Sequence, residues 1–316
     1  MVAVLVLLMP VFVNAQTKLY WNVASGNWGD ANAWSSTSGA TSPFNTTWDV
    51  ATDYEAVFEY SGAVAINDIA TSGTMLCSRI TITSACAGVT LGKPTNYRKF
   101  GSNTTFDVVT GKYLLAGTID LTSIGTLIFT KTGGGEFYHG SGKSALTFNL
   151  DGGILTLNPK LSTLTTLNIA DGTTIANTKT SIGNIISHTY ALNVNGNFSL
   201  GVSSLTPSGN GKLDGYLGFT GAVNLGDGTN RIITNVGMKS ATFSGIVSGD
   251  GSSLTMASTY ASDGAITLSG ANTYSGGTTI SGGKVYAANA SALGTGMLTL
   301  AGGNVSGMAG MDLVLC

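Results

Sequence analysis

The residues best suited to chemistry are few and lie together in one short stretch. Glu136, His139 and Lys143 bring a carboxylate, an imidazole and an amine into one loop-like segment, where they could exchange protons with a substrate. The only other histidine is His188, so a histidine-based triad or a multi-histidine metal site has few candidates. We therefore favour a solvated loop and predict no catalytic residue and no metal.

The segment GSGKS at 140–144 has the composition of a phosphate-binding loop. That loop needs a glycine five residues before Gly142, and the residue there is Phe137. It also needs a following helix, whereas the next residues alternate like a strand. The segment is predicted to be a glycine-rich turn, and no cofactor is expected.

Several aspartates directly precede a glycine, and paired carboxylates can cleave polysaccharides or bind calcium. Asp-Gly is first a turn signal, because the aspartate bonds its own backbone and glycine accepts a positive φ. The sequence has only three arginines to assist such carboxylates and lacks the tandem glycine pattern of calcium-binding repeats. The pattern therefore predicts turns at Asp151, Asp171, Asp227, Asp250 and Asp263.

The most unusual cluster is aromatic, because all four tryptophans lie near the N-terminus. Flat indole rings can stack on sugar rings, which makes these residues candidate glycan contacts. Alternatively, large aromatic side chains can close the open apolar end of a repetitive fold. The sequence favours the lid and leaves both interpretations open for Trp21, Trp28, Trp34 and Trp48.

Cys77 and Cys86 are a candidate disulfide if the protein is exported. They are an odd number of residues apart, so on one straight strand they would face opposite sides. A bridge therefore requires a turn between them, which the sequence does not clearly signal. A disulfide and two buried free thiols are equal alternatives.

Composition limits the class of protein. The chain of 316 residues is 43% hydrophobic and 9% charged, with 45 glycines and 5 prolines. A typical soluble domain is about 25% charged, so this composition indicates short strands and tight turns around an apolar core. The formal net charge of −2 offers no basic patch, and no nucleic-acid partner is expected.

A repeat organises the second half of the chain. Segments such as TFNLDGGIL (147–155) and ITLSGANTY (266–274) place apolar residues two apart around a glycine. This alternation predicts strands with the apolar side chains buried. The glycines of successive segments are 20 to 25 residues apart, and they are Gly152, Gly172, Gly196, Gly221, Gly245 and Gly270.

The outer period favours a solenoid over a sandwich or barrel, because it is about the length of one coil of a parallel β-helix. Each coil would then stack its apolar residues on those of the next. Asn168, Asn193 and Asn224 lie in or beside these strands and are predicted to form hydrogen-bonded ladders between coils.

Two segments, FSGIVSGDGSSL (243–254) and GAITLSGANTYSGGTTISGGKVYAANASALGTGMLTLAGGNV (264–305), resemble the autotransporter-associated β-strand repeat of bacterial surface proteins. The stretch YWNVASGNWGDANAW (20–34) resembles the usual opening of such proteins, whereas roughly 110–240 is similar only in pattern. The resemblance implies an all-β, right-handed parallel β-helix, exposed or secreted, usually without catalytic activity in the repeats.

The N-terminal residues 1–15 are predicted to be a secretory signal peptide. Their apolar run is too short to span a bilayer, and Val13 and Ala15 suit the cleavage positions, although no basic residue precedes the run. We predict an aromatic-rich cap and first coils over 16–110 and β-helix repeats over 111–316, with the autotransporter-associated repeat at 243–305.

These features predict a non-enzymatic passenger segment, extracellular or at the bacterial cell surface, that acts as a stalk or adhesive scaffold. The alternative is a β-helical polysaccharide-degrading enzyme or a glycan-binding module. The expected partner is a host or neighbouring-cell surface, including its glycans. The family's C-terminal membrane barrel or anchor is not seen in this sequence, so we expect a fragment that contacts a membrane only through that missing part.

Overall fold

The computed structural model describes residues 16–31, 33–41, 44, 46–67, 74–91, 99–116, 127–140, 147–157, 164–177, 186–203, 215–259 and 264–307. Their strands, in chain order, are β1 (Lys18–Trp21), β2 (Ser25–Gly26), β3 (Trp34–Ser35), β4 (Tyr54–Phe58), β5 (Ala63–Ile66), β6 (Thr74–Met75), β7 (Cys77–Ile82), β8 (Gly88–Leu91), β9 (Lys99–Phe100), β10 (Thr104–Val108), β11 (Tyr113–Ala116), β12 (Ile128–Thr132), β13 (Glu136–His139), β14 (Thr147–Leu150), β15 (Ile154–Leu157), β16 (Thr166–Ile169), β17 (Thr173–Asn177), β18 (Ile186–His188), β19 (Ala191–Val194), β20 (Phe198–Val202), β21 (Gly215–Phe219), β22 (Val223–Asn224), β23 (Asn230–Asn235), β24 (Met238–Phe243), β25 (Val247–Ser248), β26 (Ser253–Ser258), β27 (Ala265–Leu268), β28 (Gly277–Ile280), β29 (Lys284–Ala287), β30 (Leu298–Leu300) and β31 (Asn304–Gly307).

Three long sheets contain nearly all of these strands. Sheet 1 has the order β25-β22-β19-β16-β14-β12-β10-β7-β4-β1-β3, and sheet 2 has the order β2-β5-β8-β11-β13-β15-β17-β20-β23-β26-β28-β30. Sheet 3 has the order β18-β21-β24-β27-β29-β31, and β6 pairs separately with β9. Strand β3 runs antiparallel to β1, whereas the other neighbours in the three sheets are parallel.

The chain visits the sheets in turn and returns to each one a circuit later; we call one such circuit a coil. Strands of sheets 1 and 2 alternate first, and sheet 3 joins the circuit from β18 onward. No helix occurs among the residues listed above. The fold is therefore all-β with long parallel sheets, an arrangement that fits the β-helix or solenoid class.

Alternation of side chains explains where the core lies. Leu150, Ile169 and Val194 are in register on three neighbouring strands of sheet 1, and all three are buried. Parallel strands about 4.8 Å apart stack like side chains of successive coils on one another. The inward positions of the sheets thereby form one continuous apolar core.

The structure corrects the register of the predicted repeat. Ile169 pairs directly with Leu150, although Ile169 stands three residues before Gly172 and Leu150 only two before Gly152, so aligning the glycines shifts the strands by one residue. Phe219 lies in sheet 3 and pairs with His188, so the segment before Gly221 belongs to a different sheet from the segment before Gly196. Strands of sheets 1 and 3 share the same alternation of period two, so the sequence pattern does not show which sheet a strand belongs to.

The aligned glycines accordingly occupy two different corners. Gly172 and Gly196 lie between strands of sheets 1 and 2, whereas Gly245 follows β24 and Gly270 follows β27, both strands of sheet 3. Gly172 has a φ of 72°, which favours glycine in a turn. At Gly270 the cause is different, since a Cβ there would collide with the carbonyl oxygen of Gly245 in the neighbouring coil.

Coil length varies more than the sequence predicted. The hydrogen bond from Asn168 to Asn149 spans 19 residues, that from Asn193 to Asn168 spans 25, and that from Ile232 to Asn197 spans 35. The range of 20 to 25 residues is thus common but not uniform. Sheets 1 and 2 also run without a break across residue 110, because β10 pairs with β12 and β11 with β13.

Candidate functional site

The four tryptophans form one buried cluster at the N-terminal end of the sheets. The ring centroids of Trp28 lie 4.9 Å from those of both Trp34 and Trp48, and Trp21 lies 5.1 Å from Trp34. The cluster is positioned by β3, whose Trp34 pairs antiparallel with Trp21 on β1. The indole nitrogen of Trp34 donates to the carbonyl of Trp28 at 2.6 Å, which fixes the mutual orientation of the two rings.

This burial bears on the candidate glycan contacts. Trp48, the most exposed of the four, is only 4% exposed, and Trp21 and Trp34 are 0% exposed. Stacking on a sugar needs an accessible ring face, and these side chains use their faces and edges on one another and on Phe58. The geometry is that of a lid on the apolar core and leaves no platform for a sugar at these rings.

The two described cysteines are free and buried, which is the second of the alternatives left by the sequence. Cys77 begins β7, and the chain then extends to Ile82, about 17 Å further along at the usual rise of a strand. Cys86 lies in the turn beyond, where its amide bonds the carbonyl of Thr83. Their Cα atoms are therefore too far apart for a bridge, and burial raises the pKa of both thiols.

The proposed acid–base trio is not assembled in the part of the chain that is described. Glu136 and His139 lie on the same strand, β13, but three positions apart, so their side chains point to opposite faces. His139 points into the core beside Phe137, with ring centroids 5.8 Å apart, and is 0% exposed. Burial lowers the pKa of His139 to about 4, so its imidazole is neutral. Lys143 lies outside the described residues.

Glu136 has a different set of partners, which the sequence did not indicate. Its Oε1 accepts a hydrogen bond from the Thr156 hydroxyl at 2.6 Å and another from the Ser203 hydroxyl. These hydroxyls come from later coils, and the carboxylate is only 3% exposed. The carboxylate therefore ties coils of sheet 2 together, and its Oε1 is occupied by internal donors.

Lys131 is a second buried charge that sequence reasoning missed. It stands at an inward position of sheet 1 in register with Phe106 and Leu150, and it is 0% exposed. Its Nζ donates to the carbonyl oxygens of Thr132, Gly133 and Gly152 at 2.5, 2.7 and 3.2 Å. Burial lowers the pKa of Lys131 to about 8. The ammonium is therefore surrounded by three carbonyl oxygens at the glycine-rich end of β12.

His188 and Tyr190 lie at the first strand of sheet 3, with ring centroids 5.1 Å apart. Both are 3% exposed, and neither His188 Nε2 nor the Tyr190 hydroxyl has a hydrogen-bond partner among the described residues. Burial lowers the pKa of His188 to about 4 and raises the pKa of Tyr190. This imidazole is therefore neutral and buried in the core.

Of the Asp-Gly pairs that are described, Asp171, Asp227 and Asp250 lie in turns, as the sequence predicted, but the carboxylates of Asp171 and Asp227 bond the next coil rather than their own turn. Asp171 Oδ1 accepts from the amide of Asn197 at 2.9 Å, and Asp227 Oδ1 accepts from the amide of Asp250 at 3.0 Å. Each carboxylate thus caps the turn of the next coil. Asp263 lies outside the described residues.

The stretch LSGANTYSGG of the repeat also has a structural role. The Oδ1 of Asn272 accepts from the amide of Val247 at 2.8 Å, and its Nδ2 donates to the carbonyl of Ala292 at 2.5 Å. Asn272 is 1% exposed. Its side chain therefore makes the hydrogen bonds between coils that the backbone of sheet 1 makes in earlier coils. Tyr274 is buried beside it, and its hydroxyl lies 2.5 Å from that of Thr278.

Outward side chains of sheet 1 form the predicted asparagine ladder, with one change of member. Asn193 donates to Asn168, and Asn168 donates to Asn149, each at 2.7 Å. Asn149 extends the ladder to Thr130 at 3.3 Å. Asn224 lies in register with Asn193 but accepts from the amide of Gly226 in its own turn, because an Asx-turn competes for its side chain.

Among the described residues no group of three or more potential metal ligands occurs, and none of their segments is a helix able to cross a membrane. Residues 1–15, which hold the predicted signal peptide, lie outside the described part. Comparisons with protein-family models, with curated proteins and with solved structures gave no match.

Proposed function

We propose that this chain is a right-handed parallel β-helix that serves as a non-enzymatic passenger segment, exported to the cell surface or secreted, and acts as a stalk or adhesive scaffold. One observation carries the proposal: an outward column of sheet 1 stays in register from coil to coil. Its members are Lys18, Glu55, Arg79, Thr105, Thr130, Asn149, Asn168, Asn193, Asn224 and Ser248.

Such a column supports a scaffold because each coil contacts mainly its neighbours and the array can be extended without a central pocket. Charged residues, paired as Lys18 with Glu55 at 3.3 Å and Arg79 with Asp107 at 3.6 Å, stand at its N-terminal end. The later members are amides and hydroxyls. A neutral, hydrogen-bonding surface of this kind suits weak, repeated contacts in which avidity provides the binding.

The polysaccharide-degrading alternative gains no support from Glu136, Asp171 or Asp227. Glu136 accepts hydroxyl hydrogen bonds from within the chain, and Asp171 and Asp227 accept amide hydrogen bonds from neighbouring coils. General acid–base cleavage needs carboxylates that are available to the substrate. The glycan-binding alternative is favoured by one observation, the position of the Tyr113 ring over Gly88 on the outer face of sheet 2.

Removal of one coil tests the scaffold. Val223 and Asn224 pair with Val247 and Ser248, so deletion of 224–247 joins equivalent positions of neighbouring coils. We expect this variant to fold cooperatively, with a β-type circular dichroism spectrum and a particle shorter by about 5 Å, one strand spacing, in small-angle scattering. Deletion of 224–235 is the control, because half a coil would bring the wrong sheets into register. Equal misfolding of both variants would contradict a solenoid.

Export is tested separately. Expression of the full chain in a bacterium with a general secretory pathway should yield periplasmic or extracellular protein that begins at Gln16, as read by N-terminal sequencing. Retention of an intact N-terminus in the cytoplasm would contradict the signal peptide.

A further inference from the structure

One aromatic ring lies flat on the outer face of sheet 2. Gly88 begins β8, and a Cβ at this position would collide with Cε1, Cδ1 and Cζ of Tyr113, the last two at 2.5 Å. Nearly equal distances to three adjacent ring atoms place that point over the face of the ring rather than beyond its edge. The tyrosine ring therefore rests face down on the Gly88 backbone, in space that only glycine leaves free.

The Tyr113 side chain is half-buried. Since Gly88 covers one face of the ring, the other face, the edges and the hydroxyl are the parts that a ligand can reach. The outward positions of the preceding coils are small: Ala63 and Ala65 on β5 are exposed, and Thr90 on β8 is half-buried. The ring thus borders a flat surface, which we call the Tyr113 platform: Ala63, Ala65, Gly88, Thr90 and Tyr113.

The chemistry of the platform selects a class of ligand. An accessible aromatic face prefers a flat partner with polarised C–H groups or a π system. A nucleic-acid strand would also need cations for its phosphates, and the Tyr113 platform has no charged member. We propose that the Tyr113 platform binds the apolar faces of pyranose rings in an uncharged glycan chain, with Tyr113 as the stacking residue.

This inference deepens the proposed adhesive role and rests on it, but its test is independent. The coil deleted in the scaffold experiment, 224–247, lies in strands remote from β5, β8 and β11 in the order of sheet 2. If the chain tolerates that deletion but binds no glycan, the scaffold hypothesis stands and only the glycan-binding hypothesis is contradicted.

The probe is cellohexaose, an uncharged chain of pyranose rings, titrated calorimetrically into the chain from residue 16 onward. We expect Tyr113→Ala to weaken binding about tenfold or more, the loss of about one stacked ring. Tyr113→Trp should bind at least as tightly as the wild type. Tyr286→Ala is the matched control, because Tyr286 is also outward and half-buried but lies on sheet 3 beside Lys284. Its affinity should not change.

A structural role of the ring makes a different prediction. If Tyr113 only covers the glycine, Tyr113→Ala lowers the melting temperature and leaves the affinity intact. Gly88→Ala, which lifts the ring without removing it, should weaken binding in the folded protein. Absence of binding to cellohexaose by the wild type, or equal affinity of wild type and Tyr113→Ala, overturns the proposal. A charged hexasaccharide of galacturonate should bind more weakly than cellohexaose, and tighter binding of the acid would also overturn it.

Discussion

The side-chain amide of Asn168 donates to Oδ1 of Asn149 at 2.7 Å across neighbouring coils, while its own Oδ1 accepts from Asn193 at the same distance. Each middle amide in this ladder is therefore both donor and acceptor. Hydrogen bonds in such a chain polarise one another, so the ladder links coils 19 and 25 residues long through a single line of contacts.

Replacement of the middle amide should destabilise the fold. Asn168→Ala removes two hydrogen bonds of about 1 kcal/mol each and should lower the free energy of unfolding by about 2 kcal/mol. Asn224→Ala is the control, because Asn224 occupies the same column but bonds only its own turn, and about half that loss or less is expected. Urea unfolding measures both values, and equal losses would show that the ladder adds nothing to stability.

The buried ammonium of Lys131 should contribute to the stability of the fold. Lys131→Met removes a desolvated charge, which alone favours folding, but leaves three carbonyl oxygens without a donor at about 1–3 kcal/mol each. The second effect is larger, so we expect a net loss of about 3 kcal/mol. Lys18→Met, which breaks a half-exposed pair with Glu55, should cost less than about 1 kcal/mol. A stable Lys131→Met variant would mean that the carbonyls find other donors.

Part of this fold can be predicted from the sequence. Alternation of period two around Leu150 and Val194 identifies strands and their buried side, and the asparagines beside them identify the ladder. The sequence does not distinguish one sheet from another, because every strand of a solenoid shows the same alternation. The segments before Gly196 and Gly221 therefore look equivalent in the sequence, although Val194 lies in sheet 1 and Phe219 pairs with His188 in sheet 3.

The internal polar groups were missed for a related reason. Lys131 occupies an inward phase of its strand just before three glycines, FTKTGGG, and that position was a usable signal for an ammonium that turns toward corner carbonyls. Glu136 and Ser203 are 67 residues apart, so no local pattern could join them. The Tyr113 platform depends on which glycine lies one coil away, which requires the register of sheet 2.

Acid should weaken the protein because two imidazoles are buried. Burial lowers the pKa of His139 and of His188 to about 4, whereas an unfolded histidine has a pKa near 6.5. The unfolded chain therefore binds more protons between these values, so the free energy of unfolding falls as pH decreases from about 6.5 to 4. The full effect is roughly 3 kcal/mol for each histidine.

Two variants separate the contributions to this acid response. His188→Phe keeps an aromatic ring beside Tyr190 and Phe219 and should remove about half of the dependence on pH. His139→Leu, which resembles the Leu157 of the next coil in the same column, should remove the other half. Denaturant unfolding at several pH values measures the slopes, and an unchanged slope in both variants would show that carboxylates alone cause the response.

The tryptophan lid should affect stability far more than recognition. Trp34 is 0% exposed, pairs with Trp21, and donates its indole N–H to the carbonyl of Trp28. Trp34→Ala should therefore lower the free energy of unfolding by about 3–5 kcal/mol, since it opens a cavity among the rings and removes a hydrogen bond. Tyr20→Ala, at the adjacent outward position of β1, is the control and should cost much less. Affinity for cellohexaose, measured on the folded fraction, should stay the same in both variants. If a folded Trp34→Ala protein lost this affinity, the tryptophans would be sugar contacts, and a purely structural role as a lid would be contradicted.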